Sequence, residues 1–76
     1  MQLMNAEQLE AKATELVNSA KELSNGKEAY LVIADGDFNY FSQSKKVLKF
    51  LMNCDLSEAR VFKNMMGTVT INLDGK

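Results

Sequence analysis

The sequence predicts a small α+β domain of order α-β-β-α-α-β, with a three-stranded, largely antiparallel sheet and helices packed on one of its faces. Three observations lead there. Apolar residues return at spacings of three and four from Ala6 to Leu23, an Asp35-Gly36 pair interrupts a run of β-forming residues, and residues 68–74 alternate strictly between apolar and polar. The 76 residues are expected to form one domain, 1–76, since an independent core usually needs on the order of 100 residues and rarely fewer than about 50.

Asn5 followed by Gln8 has the spacing of a capping box, and Met4 and Leu9 stand where a hydrophobic staple places them, so a helix should begin at Ala6. Ala6, Leu9, Ala13, Leu16, Ala20 and Leu23 then mark one face, widened by Val17, until Asn25-Gly26 supplies a left-handed stop. The alanines of that stripe are small enough to let a second helix approach, although packing on the chain's own sheet is the simpler use.

Asp35-Gly36 is a type I′ turn pair flanked by "AYLVIA" and "DFNYF", which reads as a β-hairpin. With those two residues as the loop, Ala34 opposes Asp37, Ile33 opposes Phe38, Val32 opposes Asn39, Leu31 opposes Tyr40 and Tyr30 opposes Phe41. Leu31, Ile33, Phe38 and Tyr40 share a wholly apolar face, expected to be the core. Tyr30, Val32 and Phe41 share the mixed face with Ala34, Asp37 and Asn39.

From Ser44, which should cap it, a second helix carries Val47, Phe50, Leu51 and Cys54 on its apolar stripe and turns Lys45, Lys46 and Lys49 away. Asp55 and Glu58 repeat the capping-box spacing, predicting a third helix through Ala59, Phe62, Met65 and Met66 that stops at Gly67. In the last strand Val69, Ile71 and Leu73 face one way. That strand has a partner at either edge of the hairpin or in a second copy of the chain.

The chemistry is restrictive. Asp35, Asp37 and Asn39 have the alternating spacing of a calcium loop, but the glycine and glutamate required at its sixth and twelfth positions are Tyr40 and Lys46, so no metal is expected there. The chain has no histidine, which removes the ordinary triad and the imidazole base. Cys54, the single cysteine, sits on an apolar stripe and reads as a buried structural thiol of a reducing compartment. Ser42-x-x-Lys45 matches a serine–lysine spacing without its companion motifs, and the four glycines form no phosphate loop. No enzyme, cofactor or small-molecule substrate is expected.

The start of the chain lacks the basic residues and apolar run of a signal peptide, and no stretch is apolar enough to span a bilayer, so a cytoplasmic location and no membrane partner are expected. Net charge is −1, yet Lys45, Lys46, Lys49, Arg60 and Lys63 gather in one third of the chain. They form a candidate anion or nucleic-acid patch if the second and third helices lie side by side. Tyr30, Val32 and Phe41 form a candidate protein interface if nothing covers the mixed face of the hairpin, whereas helices on both faces would leave none. The functional expectation is a non-enzymatic interaction or regulatory module that self-associates through the hairpin face or a sheet edge. The alternative is a small nucleic-acid-binding regulator using Lys45, Lys46, Lys49 and Lys63.

Overall fold

The computed structural model describes residues 5–75. Helix α1 (Ala6–Ser24) starts at the expected capping box: the Gln8 N–H donates to Asn5 Oδ1 at 2.8 Å, and the Asn5 N–H donates to Gln8 Oε1 at 3.2 Å. It ends where Asn25 and Gly26 take φ of 53° and 85°, a reversal that a β-branched residue would resist. Ala13, Leu16, Val17 and Ala20 are buried, while Leu23 stays partly exposed at the end of the stripe. Met4 and its expected staple lie outside the described residues.

Strands β1 (Tyr30–Ala34) and β2 (Asp37–Phe41) form the hairpin in the expected register, from Tyr30 opposite Phe41 to Ala34 opposite Asp37. Asp35 and Gly36 have φ of 50° and 78°, left-handed at both positions as a type I′ turn requires. Both turn N–H groups donate to the Asp74 carboxylate, at 2.8 and 2.9 Å, which ties the end of the chain to the hairpin.

Helix α2 (Ser44–Leu51) buries Val47 and Leu51, and Phe50 tilts against Phe41 with ring centroids 5.4 Å apart. Ser44 is its first residue rather than its cap. The preceding Gln43 makes no side-chain cap, and the Glu28 carboxylate reaches over to accept from the Ser44 N–H at 3.1 Å.

Beyond α2 the structure departs from expectation. The third helix is absent; Arg60–Lys63 is strand β3, hairpinned to β4 (Val69–Asn72), so the order is α-β-β-α-β-β. Asp55 accepts from the Ser57 N–H at 3.0 Å, closing a turn instead of capping a helix. Asn64 Oδ1 accepts from the N–H groups of Met66 and Thr68, and Gly67 has φ of 88°, so Gly67 shapes a hairpin loop and stops no helix. Pairing β3 with β4 also gives β4 a second neighbour, which a lone helix would not have supplied.

The sheet is four-stranded and mixed, in the order β2-β1-β4-β3. Its outer pairs are antiparallel, and the central β1 and β4 run parallel with Tyr30 beside Val69 and Val32 beside Ile71. The last strand therefore joins the free edge of β1 within the same chain. Both helices lie on one side, α1 over β3 and β4, α2 over β1 and β2, and they touch each other.

That side is the one carrying Tyr30, Val32, Phe41, Val61, Val69 and Ile71. The core face is thus the reverse of the expected one. Tyr30 and Val32 are 1% and 0% exposed, and Phe41 packs partly buried on Phe50, so these three form core instead of an uncovered interface. The register sorts residues into two faces without saying which face the helices cover. Here the buried alanines of α1 bring the helix layer close to the face that holds Val32, Val69 and Ile71.

Glu28 is held in the left-handed region, φ 45°, a conformation uncommon outside glycine. The Ser44 N–H and then the Ser44 hydroxyl hold its carboxyl below the ordinary glutamate value. A lowered folded value means that its contribution to stability is complete above the unfolded value and disappears as pH falls through the folded one. Glu28→Gln should therefore lower the melting temperature at neutral pH and converge on the native protein in acid, read from melts across a pH series. An equal gap at every pH would show that charge on Glu28 plays no part.

Candidate interaction face

The face of the sheet away from the helices is built by the alternate residues of all four strands. The ladder places Tyr40, Leu31, Thr70 and Phe62 in one row across it and Phe38, Ile33, Asn72 and Arg60 in the next. Among the described residues no helix lies over these rows. Phe38 is 63% exposed, Tyr40 72% and Phe62 39%, although the protein has only six aromatic residues. The central Leu31, Thr70 and Asn72 are buried.

The polar groups of the face are held in place. Asn72 Oδ1 accepts from the Asp74 N–H at 2.9 Å, and Asn64 Nδ2 stands 3.5 Å from Thr70 Oγ1. At one end of the sheet lies the β3–β4 loop, which carries Met65 and Met66 almost fully in solvent. At the other end Asp35 and Asp74 meet through the turn, and Glu58 lies beside Gly75, close enough that a Cβ there would stand 2.9 Å from Glu58 Cβ. Asp35, Glu58 and Asp74 thus gather at one end of the sheet, where Asp35 and Glu58 also line a hollow with the end of α2.

The basic residues do not form one patch. Lys45, Lys46 and Lys49 are exposed on α2, which covers β1 and β2. Arg60 and Lys63 are on β3 at the opposite edge of the sheet, with α1 packed between that edge and α2. Without the third helix there is no second helical face to set beside α2.

A hollow of about 240 Å³ lies among Asp35, Cys54, Asp55, Glu58 and Leu73, but among the described residues no cluster of three or more thiol or carboxylate side chains could hold a metal ion. The Cys54 thiol donates to the Phe50 carbonyl at 3.3 Å. Burial, then the charge of Asp35, raises its pKa, which keeps it protonated and a poor nucleophile. Among the described residues no helix is long and apolar enough to cross a membrane.

Phe38 and Tyr40 were visible in the sequence as a pair sharing one side of the hairpin, yet an entirely apolar face reads as core. Phe62 was hidden by its assignment to a helix. The signal that could have recovered Phe62 is the β-branched and aromatic pair Val61-Phe62 between Arg60 and Lys63, which suits a strand as readily as a helical turn. No family model matches the chain, and neither a curated protein nor a solved structure does.

Proposed function

We propose that the chain is a non-enzymatic protein-interaction module whose working surface is the open sheet face, with Phe38, Tyr40 and Phe62 as its anchors. The observation that carries this reading is three exposed aromatic side chains on two adjacent rows of a sheet face over which, among the described residues, no helix lies. Aromatic residues bury ~150–250 Å² each and dominate interface energetics. A patch of this kind on a monomer commonly marks a contact site. The adjoining Met65 and Met66 add adaptable apolar surface at the rim.

A test compares the native chain with Phe38→Asp/Tyr40→Asp, both tagged and recovered from cells that also express an untagged copy. The native chain should retain bound protein, either the untagged copy or another chain. The variant, folded by circular dichroism, should retain at least ~30-fold less, the loss expected of a hot-spot residue. Equal retention by both would remove the open face from the function.

A second reading has one observation in its favour. Aromatics on an open four-stranded sheet are also how single-stranded nucleic acid is stacked, and Arg60 sits on the same face as Phe62. Against it stand the net charge of −1 and the acidic end of the sheet, neither of which attracts phosphate. The lysines of α2 belong to the opposite layer and do not assist.

A further inference from the structure

Resting on the reading of Phe38 and Tyr40 as interaction anchors, we infer that the chain pairs with a second copy of itself, strand to strand, along the outer edge of β2. The two-fold axis passes at Tyr40, and Phe38 of each copy enters a hollow at the end of the other's β2. Backbone polarity shows that this edge is open. The Ala29 and Ile33 carbonyls accept from the Val69 and Leu73 N–H groups at 2.9 and 2.8 Å. Alternation therefore turns Tyr30, Val32 and Ala34 toward β2, where their partners are Phe41, Asn39 and Asp37. The N–H and C=O groups of Phe38 and Tyr40 then point off the sheet, and among the described residues nothing bonds them. The edge is also lightly guarded. Its one charge, Asp37, stands beside the turn, whereas the opposite edge, β3, carries Arg60 and Lys63 at its two ends.

The hollow lies where the sheet steps from large side chains to small ones. It holds about 280 Å³ among Ala29, Tyr40, Ser42 and Thr68, with Tyr30 and Phe41 completing the lining. Ala29, Ser42 and Thr68 each stand one residue beyond Tyr30, Phe41 and Val69, so alternation returns them to the open side of the sheet. Tyr40 forms one wall. Ser42, on the side of the free edge, is too small to close the other.

One antiparallel register matches the exposed ring to the hollow. With Tyr40 opposite the partner's Tyr40, Phe38 falls opposite the partner's Ser42, and the two-fold supplies the reciprocal contact. Opposed side chains stand about 4.5–5.5 Å apart at Cβ, so the Phe38 ring crosses the small Ser42 and packs on the partner's Ala29 and Tyr40. The same register brings together the backbone groups that were free, and it covers rings that are 63% and 72% exposed. Helix α2 packs on β1 and β2 from the opposite side, so it leaves the path of the ring clear. An axis at Asn39 instead sets Gly36 opposite Ser42, and no side chain reaches the hollow. Pairing two five-residue strands gives a small interface, under about 1,200 Å² in total, so a dissociation constant of roughly micromolar order is expected.

The experiment combines sedimentation equilibrium with amide hydrogen exchange read by nuclear magnetic resonance, both on the reduced full chain. Sedimentation should show a monomer–dimer equilibrium, and Phe38→Ala should raise its dissociation constant at least ~30-fold without changing the circular dichroism spectrum. Ser42→Leu fills the hollow from its own chain and should weaken the dimer as well, although it adds apolar surface. Exchange of the Phe38 and Tyr40 amides should slow as concentration rises, while that of the Val61 and Lys63 amides on the other edge should not. A dimer whose Phe38 and Tyr40 amides exchange at one rate at every concentration overturns the edge pairing. A dimer that Ser42→Leu leaves unchanged or tightens overturns the axis at Tyr40. A chain that stays monomeric, yet still loses a captured protein on Phe38→Asp/Tyr40→Asp, overturns the second copy and leaves the wider reading standing. A monomer indifferent to those substitutions overturns both.

Discussion

Tyr30→Asp unfolds the chain, whereas Tyr40→Asp leaves it folded. The two tyrosines lie one on each strand of the same hairpin, but their side chains belong to opposite faces. Tyr30 is 1% exposed within the core cluster, with its hydroxyl 3.5 Å from Ser24 Oγ and from Glu28 Oε1. Removing a buried aromatic costs about 3–5 kcal/mol, and an unpaired carboxylate in its place adds a desolvation cost. A core of this size supplies only ~3–5 kcal/mol net, so the loss exceeds what is available. Tyr40 is 72% exposed, and its replacement should move stability by no more than about 1 kcal/mol, the span of β-propensity. Thermal melts by circular dichroism read both. Tyr30→Phe is the control: its hydroxyl contacts are long, so its loss should cost about 1 kcal/mol or less. A folded Tyr30→Asp would restore the mixed face of the hairpin as the surface.

The features legible in the sequence are those set by chemistry local to a few residues. The capping box at Asn5 and Gln8, the left-handed stop at Asn25-Gly26 and the whole hairpin register followed from short-range rules and all appear in the fold. The choice of covered face was not local. β1 became a central strand, so Leu31 and Val32 are both buried although they point to opposite sides. An apolar residue on each face of a central strand tells nothing about where the helices go. The deciding contact is the parallel pairing of β1 with β4, which puts Tyr30 and Val32 on the same side as Val69 and Ile71. That pairing joins residues almost forty positions apart, beyond any windowed pattern.

The same difficulty governed the candidate site. A face made of Leu31, Ile33, Phe38 and Tyr40 is as apolar as a core, so burial was the natural expectation. The exposure of Phe38 and Tyr40 becomes visible only when both helices are placed on the other side. The basic patch failed for a related reason, since it required Arg60 and Lys63 to continue a helical surface, and a strand carried them to the far edge of the sheet.

Leu56 and Met66 separate strand β3 from the helix that the sequence suggested there. A helix through Ala59, Phe62, Met65 and Met66 would place Met66 on its buried stripe, and Met66→Ala would then cost about 2–5 kcal/mol. In the fold Met66 is 90% exposed at the tip of the β3–β4 hairpin, so the substitution should stay within about 0.5 kcal/mol. Leu56 behaves in the opposite way. It lies in the connection between α2 and β3, where a loop residue would ordinarily face solvent, yet it is 0% exposed and joins Val47, Leu51 and Leu73 in the core cluster. Burying it lets the chain leave α2 and return to the sheet without uncovering the end of the core. Leu56→Ala should cost about 2–5 kcal/mol, enough to leave much of the population unfolded at room temperature if the net stability is only ~3–5 kcal/mol. Urea titrations of the two variants give the comparison directly. A large loss at Met66 with little at Leu56 would dissolve the second hairpin, and with it Phe62 and Arg60 would leave the open face.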